Sequence, residues 1–96
     1  MPRLAVQTLM DLTGLSLPKA LKEIEQAGFL FHGKTKGGYQ EFRHPDDSVV
    51  WIRPSGEIVR LGPRVVIRAD GKKYRPRYDQ TGERTPSHRT GEAVVL

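Results

Sequence analysis

Apolar residues recur along this chain with two different periods. Leu4, Val6, Leu9 and Met10 are spaced as on a short helix, and Thr13-Gly14 stops that segment. Ser16 then predicts an N-cap with Pro18 in the first turn. Leu17, Leu21 and Ile24 form one stripe, with Lys19, Lys22, Glu23 and Glu25 largely off it. Gly28 ends this second helix. From Tyr39 the period drops to two. Tyr39–Arg43, Val49–Arg53 and Glu57–Leu61 read as antiparallel strands joined by the turns Pro45-Asp46-Asp47-Ser48 and Pro54-Ser55-Gly56. Arg64–Arg68 predicts a fourth strand and Ala69-Asp70-Gly71 a turn. The polar remainder predicts loops, a short pairing within Lys73–Tyr78 and a last strand at Ala93–Val95. The expected class is α+β: two short N-terminal helices packed on a four- to five-stranded antiparallel sheet, followed by a basic, loop-rich C-terminal segment. One domain is expected over residues 1–96, helical over 1–28, an antiparallel meander over 29–68 and basic and loop-rich over 69–96.

Alternation assigns faces as well as strands. Phe42 shares a side with Gln40 and His44, and Val50 shares one with Ile52. If those sides meet the core, the opposite face carries Tyr39, Glu41, Arg43, Trp51 and Arg53, a carboxylate among arginines with two aromatics. Between Phe31 and Tyr39, the run His32-Gly33-Lys34-Thr35-Lys36-Gly37-Gly38 predicts a basic, glycine-rich loop. It lacks the spacing and the Lys-Ser/Thr ending of a phosphate-cradling P-loop. Lys34 and Lys36 remain candidates for phosphate contact.

Charge sharpens this picture because it is uneven. The net of +5 divides into zero through Val59, with seven basic and seven acidic residues, and +6 from Arg60 to Arg89, with nine against three; Glu92 makes up the difference. A basic cluster of this kind points to a phosphate-rich partner, since cations supply most of the sequence-independent affinity for nucleic acid. Tyr74, Tyr78 and His88 lie among those arginines, and such planes stack on unpaired bases. The candidate RNA contacts are therefore Lys34, Lys36, Arg43, Arg60, Tyr74, Arg75, Arg77, Tyr78, Arg84 and Arg89. Cysteine is absent, which removes disulfides and thiolate metal sites. No apolar run approaches the roughly 20 residues of a membrane span, so a soluble chain is expected.

The chemistry these residues permit is metal-independent RNA cleavage. The histidines at 32, 44 and 88 have no ligand-like spacing, and Ser87-His88 lacks a nucleophile turn. No metal or cofactor is called for when the 2′-hydroxyl of RNA attacks its own phosphate. The protein then supplies a base, an acid and cations. Glu41 is the candidate base and His88 the candidate acid, with His44 in reserve at the end of the strand that carries Glu41. Arg53, Arg43 or Arg60 would oppose the charge that develops on phosphorus. His32 is given a milder role.

Several stretches carry family resemblances. LMDLTGLSLPKALKEIEQAGFLF resembles the helix-turn-helix and wing start of winged-helix DNA-binding proteins, which implies a non-catalytic nucleic-acid-binding module as the alternative function. A DNA-reading helix carries Arg, Asn or Gln near its N-terminus, however, and this one offers Lys19. Two helices before a sheet, with Glu41 and Arg53 on strands and a late His88, are similar to the barnase–EndoU–colicin–RelE group of ribonucleases. EFRHPDDSVVWIRPSGEIVRLGP and YRPRYDQTGERTPSHRTGE resemble the C-terminal toxin modules of bacterial polymorphic and contact-dependent inhibition toxins. That resemblance implies a hydrolase acting in the bacterial cytoplasm, delivered there as part of a secreted effector and held by an acidic immunity or antitoxin protein. AGFLF followed by GGYQEFRHPDD is similar to the HicA-type messenger ribonucleases, although Tyr39 stands where that family has a strand histidine.

Overall fold

The computed structural model describes residues 3–64 and 66–96. The chain has an α+β fold. Helix α1 (Ala5–Thr8) is a single turn in which the Gln7 carboxamide oxygen accepts the Leu4 N–H at 2.9 Å. Helix α2 (Leu17–Gln26) starts as expected: Ser16 Oγ accepts the Lys19 N–H and Pro18 occupies the first turn. Its end is a Schellman arrangement, with the Phe29 N–H donating to Ile24 O and Gly28 at φ +96°. A side chain at Gly28 would also meet the His44 ring at 2.9 Å.

Strands β1 (Leu30–Lys34), β2 (Gln40–Arg43), β3 (Val49–Ile52), β4 (Ile58–Leu61) and β7 (Arg77–Tyr78) form one antiparallel sheet in the order β1-β2-β3-β4-β7; β5 (Val66–Ile67) and β6 (Lys73–Tyr74) make a separate hairpin. Four expectations change here. The stretch around His32 to Lys34 is strand β1 rather than part of a loop, with a bulge at His32-Gly33 that the sequence pattern hides. The predicted fourth strand at Arg64–Arg68 does not extend the meander but pairs with β6 as the separate hairpin; its Val65 lies outside the described residues. The segment Lys73–Tyr78 does not pair within itself, because Pro76 separates β6 from β7 and each half finds a different partner. The last segment runs as a strap instead of a regular strand. The Ile58 N–H donates to Glu92 O and the Gly14 N–H to Ala93 O. The Val95 N–H donates to Leu15 O, so the strap ties the helices to the sheet.

The helices cover one face of the sheet. Leu12, Ala20, Ile24 and Phe29 bury against Phe42, Val50, Ile52 and Ile58, the apolar burial on which a domain of this size depends. Arg60 is also on this covered face. Its side chain is fully buried, and it donates to Glu92 Oε1 (2.9 Å), Glu92 Oε2 (2.6 Å), Val6 O, Leu9 O and Met10 O. Glu92 Oε2 accepts the Leu12 N–H as well. Every donor of this buried cation therefore meets an acceptor, which is the condition for tolerating such a charge. The opposite face carries a small apolar patch of Val49, Val59 and Leu61, with Trp51 against it. No helix among the described residues is long and apolar enough to cross a membrane.

Candidate nucleic-acid interface

The face away from the helices is built from cross-strand rows. Arg43, Val49, Leu61 and Arg77 are neighbours across β2, β3, β4 and β7, and Glu41, Trp51 and Val59 form the next row. At the end of the second row, β1 bulges. Phe31 still pairs with Phe42, but Gly33 pairs with Glu41, and Gly33 takes φ +124°. The extra residue is His32, whose Nε2 comes to 4.0 Å from Glu41 Oε2.

Glu41 is the hub of the face. Its Oε1 accepts the Trp51 indole N–H at 2.8 Å and its Oε2 accepts Arg43 Nε at 2.8 Å. Partial burial pushes the carboxyl up. The hydrogen bonds from Trp51 and Arg43 and the nearby Arg43 and His32 charges outweigh that, and Glu41 ionises below the ordinary carboxylate range. Next along the face, Tyr39 meets Trp51 edge-on at 5.6 Å, and the Arg53 guanidinium lies 5.3 Å from the centre of the Tyr39 ring. Arg53 Nε has no hydrogen-bond partner, Glu57 being 3.9 Å away, while its Nη2 donates to the His88 carbonyl at 3.3 Å. Burial and the Arg53 charge pull the Arg77 guanidinium below its ordinary value, against an opposing effect of Tyr39.

The structure thus brings together Glu41, Arg43, Arg53 and Arg77, and it adds His32. It brings the main chain of His88 to Arg53 and leaves that residue exposed. His44 is corrected: it lies on the covered side, tilted against Phe29 at 5.2 Å, and its Nδ1 accepts the Asp46 N–H at 3.0 Å. Arg60 is likewise no phosphate ligand, because strand parity turns it inward with Ile58. Tyr78, opposite Arg60, is partly buried and packs against the core. Lys34 and Lys36 are exposed at and beyond the end of β1, away from the groove walls. Arg89 pairs with Glu57 at 3.1 Å.

Two grooves meet on this face. One, of 420 Å³, lies between the sheet residues Glu41, Arg43, Trp51 and Leu61 and the segment of Arg64, Lys73, Tyr74 and Arg75. The other, of 470 Å³, continues past Arg77 to Arg84, Thr85 and Pro86. Arg75 is committed to the β2–β3 turn: its Nη1 donates to Asp47 O at 2.6 Å and Gly62 O at 3.1 Å, and its Nη2 pairs with Asp47 Oδ1 at 3.1 Å. Among the described residues, no group of three or more His, Asp or Glu is placed to hold a metal ion. His32 is the functional candidate that sequence reasoning undervalued. Its signal was Gly33, a residue that inside a strand often marks a bulge. No family model, curated protein or solved structure matches this chain.

Proposed function

We propose that the chain is a metal-independent endoribonuclease that works through the open face of its sheet. The RNA 2′-hydroxyl attacks the adjacent phosphorus and the bond to the 5′-oxygen breaks, leaving a 2′,3′-cyclic phosphate. Glu41 takes the hydroxyl proton with His32 beside it, and a histidine, for which His88 beside Arg53 is the candidate, returns a proton to the leaving oxygen. Arg53 and Arg77 oppose the charge on phosphorus. One observation carries the reading: among the described residues Glu41 is the single carboxylate lining the cationic groove, and it is ionised with an imidazole 4.0 Å away. Arg43 is half exposed, and on this reading its guanidinium passes from Glu41 to the phosphate when RNA binds. That transfer would remove one hydrogen bond from the carboxylate and raise its basicity.

A non-catalytic nucleic-acid-binding module is the second reading. It is favoured by the engagement of both Glu41 oxygens by Trp51 and Arg43. Cleavage of total RNA in EDTA by purified, folded wild type and Glu41→Gln separates the two. Discrete fragments from wild type alone support the enzyme, and RNA that is bound but intact supports the module. Toxicity in the bacterial cytoplasm, delivery within a larger effector and an acidic immunity partner follow from the toxin resemblance, and growth arrest relieved by such a partner is their test.

A further inference from the structure

We infer, resting on that reading of the open face, that RNA enters as a single strand threaded between the sheet and the β5–β6 hairpin. Arg77 holds its phosphate, and Trp51 and Tyr74 face its bases. The two grooves share Tyr74, Arg75 and Arg77, so they form one continuous trough. Each volume is in the range that receives a small organic molecule, the scale of a nucleotide and not of a double helix. A trough with walls on both sides also suits an unpaired strand. Double-stranded RNA is read instead across its wide minor groove and flanking phosphates, from outside the helix.

The lining chemistry agrees with nucleic acid. Among the described residues Arg64, Lys73, Arg77 and Arg84 have no carboxylate partner in an ion pair, so their charges are open to a ligand. Arg77 also sits within reach of the Arg53 charge, and a phosphate between two guanidinium groups relieves their repulsion. The indole N–H of Trp51 is held by Glu41, which fixes the ring in the groove wall. Tyr74 is partly exposed on the hairpin and forms part of the lining of both grooves. Cations alone would serve an acidic peptide as well. Aromatic rings among them favour bases, which stack regardless of sequence.

The hairpin is held in place by a device that has no other evident use. Asp47 is the sole non-glycine residue with positive φ (+71°) among the described residues, a conformation that costs free energy at any residue with a Cβ. Glycine would be easier there, but glycine would lose the carboxylate that pairs with Arg75 and accepts the Arg64 N–H at 3.3 Å. Asp47 and Arg75 thus act as positioning residues for the hairpin wall.

The test uses the full chain and 2′-O-methyl RNA, which lacks the attacking hydroxyl, so binding is read apart from cleavage. Affinity is measured for an unstructured oligonucleotide, its blunt duplex and a polyglutamate peptide. The single strand is expected to bind at least about tenfold tighter than the duplex. Tyr74→Ala should lose about tenfold on the single strand while leaving the duplex unchanged, the usual size of one stacked base. Arg77→Ala should weaken binding and lower the salt slope by about one. Asp47→Gly, which frees the hairpin wall, should shrink the preference for single strands. Equal affinity for strand and duplex overturns the trough. If unmodified RNA is still cut, the ribonuclease reading survives that result. Polyglutamate binding as tight as RNA also overturns the trough and assigns the face to an acidic protein.

Discussion

Arg60 and Arg77 lie on adjacent strands, one register step apart, and face opposite ways. Arg60, beneath the helices, is fully enclosed and donates to three backbone carbonyls and to both oxygens of Glu92. Arg77, on the open face, has no carboxylate partner among the described residues and lines both grooves. Both belong to the same basic run of sequence. What separates them is parity within an antiparallel pair, Arg60 opposite Tyr78 and Leu61 opposite Arg77. A cation is available to a ligand when its own fold leaves its donors unclaimed, and a basic cluster read along the chain mixes the two kinds.

Substitutions can break this contrast in order of size. Arg60→Ala should be the most severe, because Glu92 is left buried and uncompensated. Loss of one partner of such a pair costs about 3–5 kcal/mol, a large part of the stability of a small domain. Thermal unfolding of Arg60→Ala should show a folded state that is lost or marginal, whereas Arg77→Ala should melt within a few degrees of wild type. Equal melting points in the two variants would dissolve the distinction. Glu41→Gln follows. RNA cleavage should drop by about 100- to 10,000-fold, while the fold is retained because the amide oxygen still accepts from Trp51.

The acid limb of the stability curve gives a smaller effect. Partial burial pushes the Asp46 carboxyl up, but hydrogen bonds from Ala5 and Ser48 and the His44 charge outweigh it, and the folded state ionises below the ordinary range. A depressed folded value means that the stabilisation is complete above the unfolded value, near about pH 4, and fades as pH falls toward the folded one. Asp46→Asn should lower stability at neutral pH and flatten this part of the acid dependence in denaturant titrations. A loss of stability as pH rises would contradict the assignment. Smallest of all, Lys19→Ala and Lys22→Ala on α2 should change melting by no more than about 0.5 kcal/mol and leave RNA binding intact. Loss of duplex DNA binding in these two would favour the winged-helix form of the module.

The fold was largely legible because its middle is regular. From β2 to β4 the alternation and the two turns fix the strands and their order, with the faces of β2 and β3, and Ser16, Pro18 and Gly28 bound α2. Strand β1 was illegible for a local reason. Gly33 interrupts the alternation, and Lys34, Lys36 and two further glycines give the stretch the composition of a loop, although pairing with β2 orders part of it. The site was half legible. Glu41, Arg43, Trp51 and Arg53 follow from strand parity, which also puts His44 with Phe42 on the covered side where it meets Phe29, but placing His32 requires the bulge. Arg60 could be assigned inward only by knowing that Glu92, 32 residues later, supplies its counter-charge.

That last contact also sets an order for the making of the protein. The acceptors of Arg60 come from residues 6 to 10 and from residue 92, and Glu92 in turn receives the Leu12 N–H across 80 residues of sequence. During synthesis the helices and the four-stranded meander β1–β4 emerge first, with a guanidinium at their centre that lacks its carboxylate. Contacts of such long sequence separation form late and slow the completion of a fold. The centre of the domain therefore stays uncompensated until the segment that carries Glu92 has been made, and the cationic face takes its final form only after that segment docks.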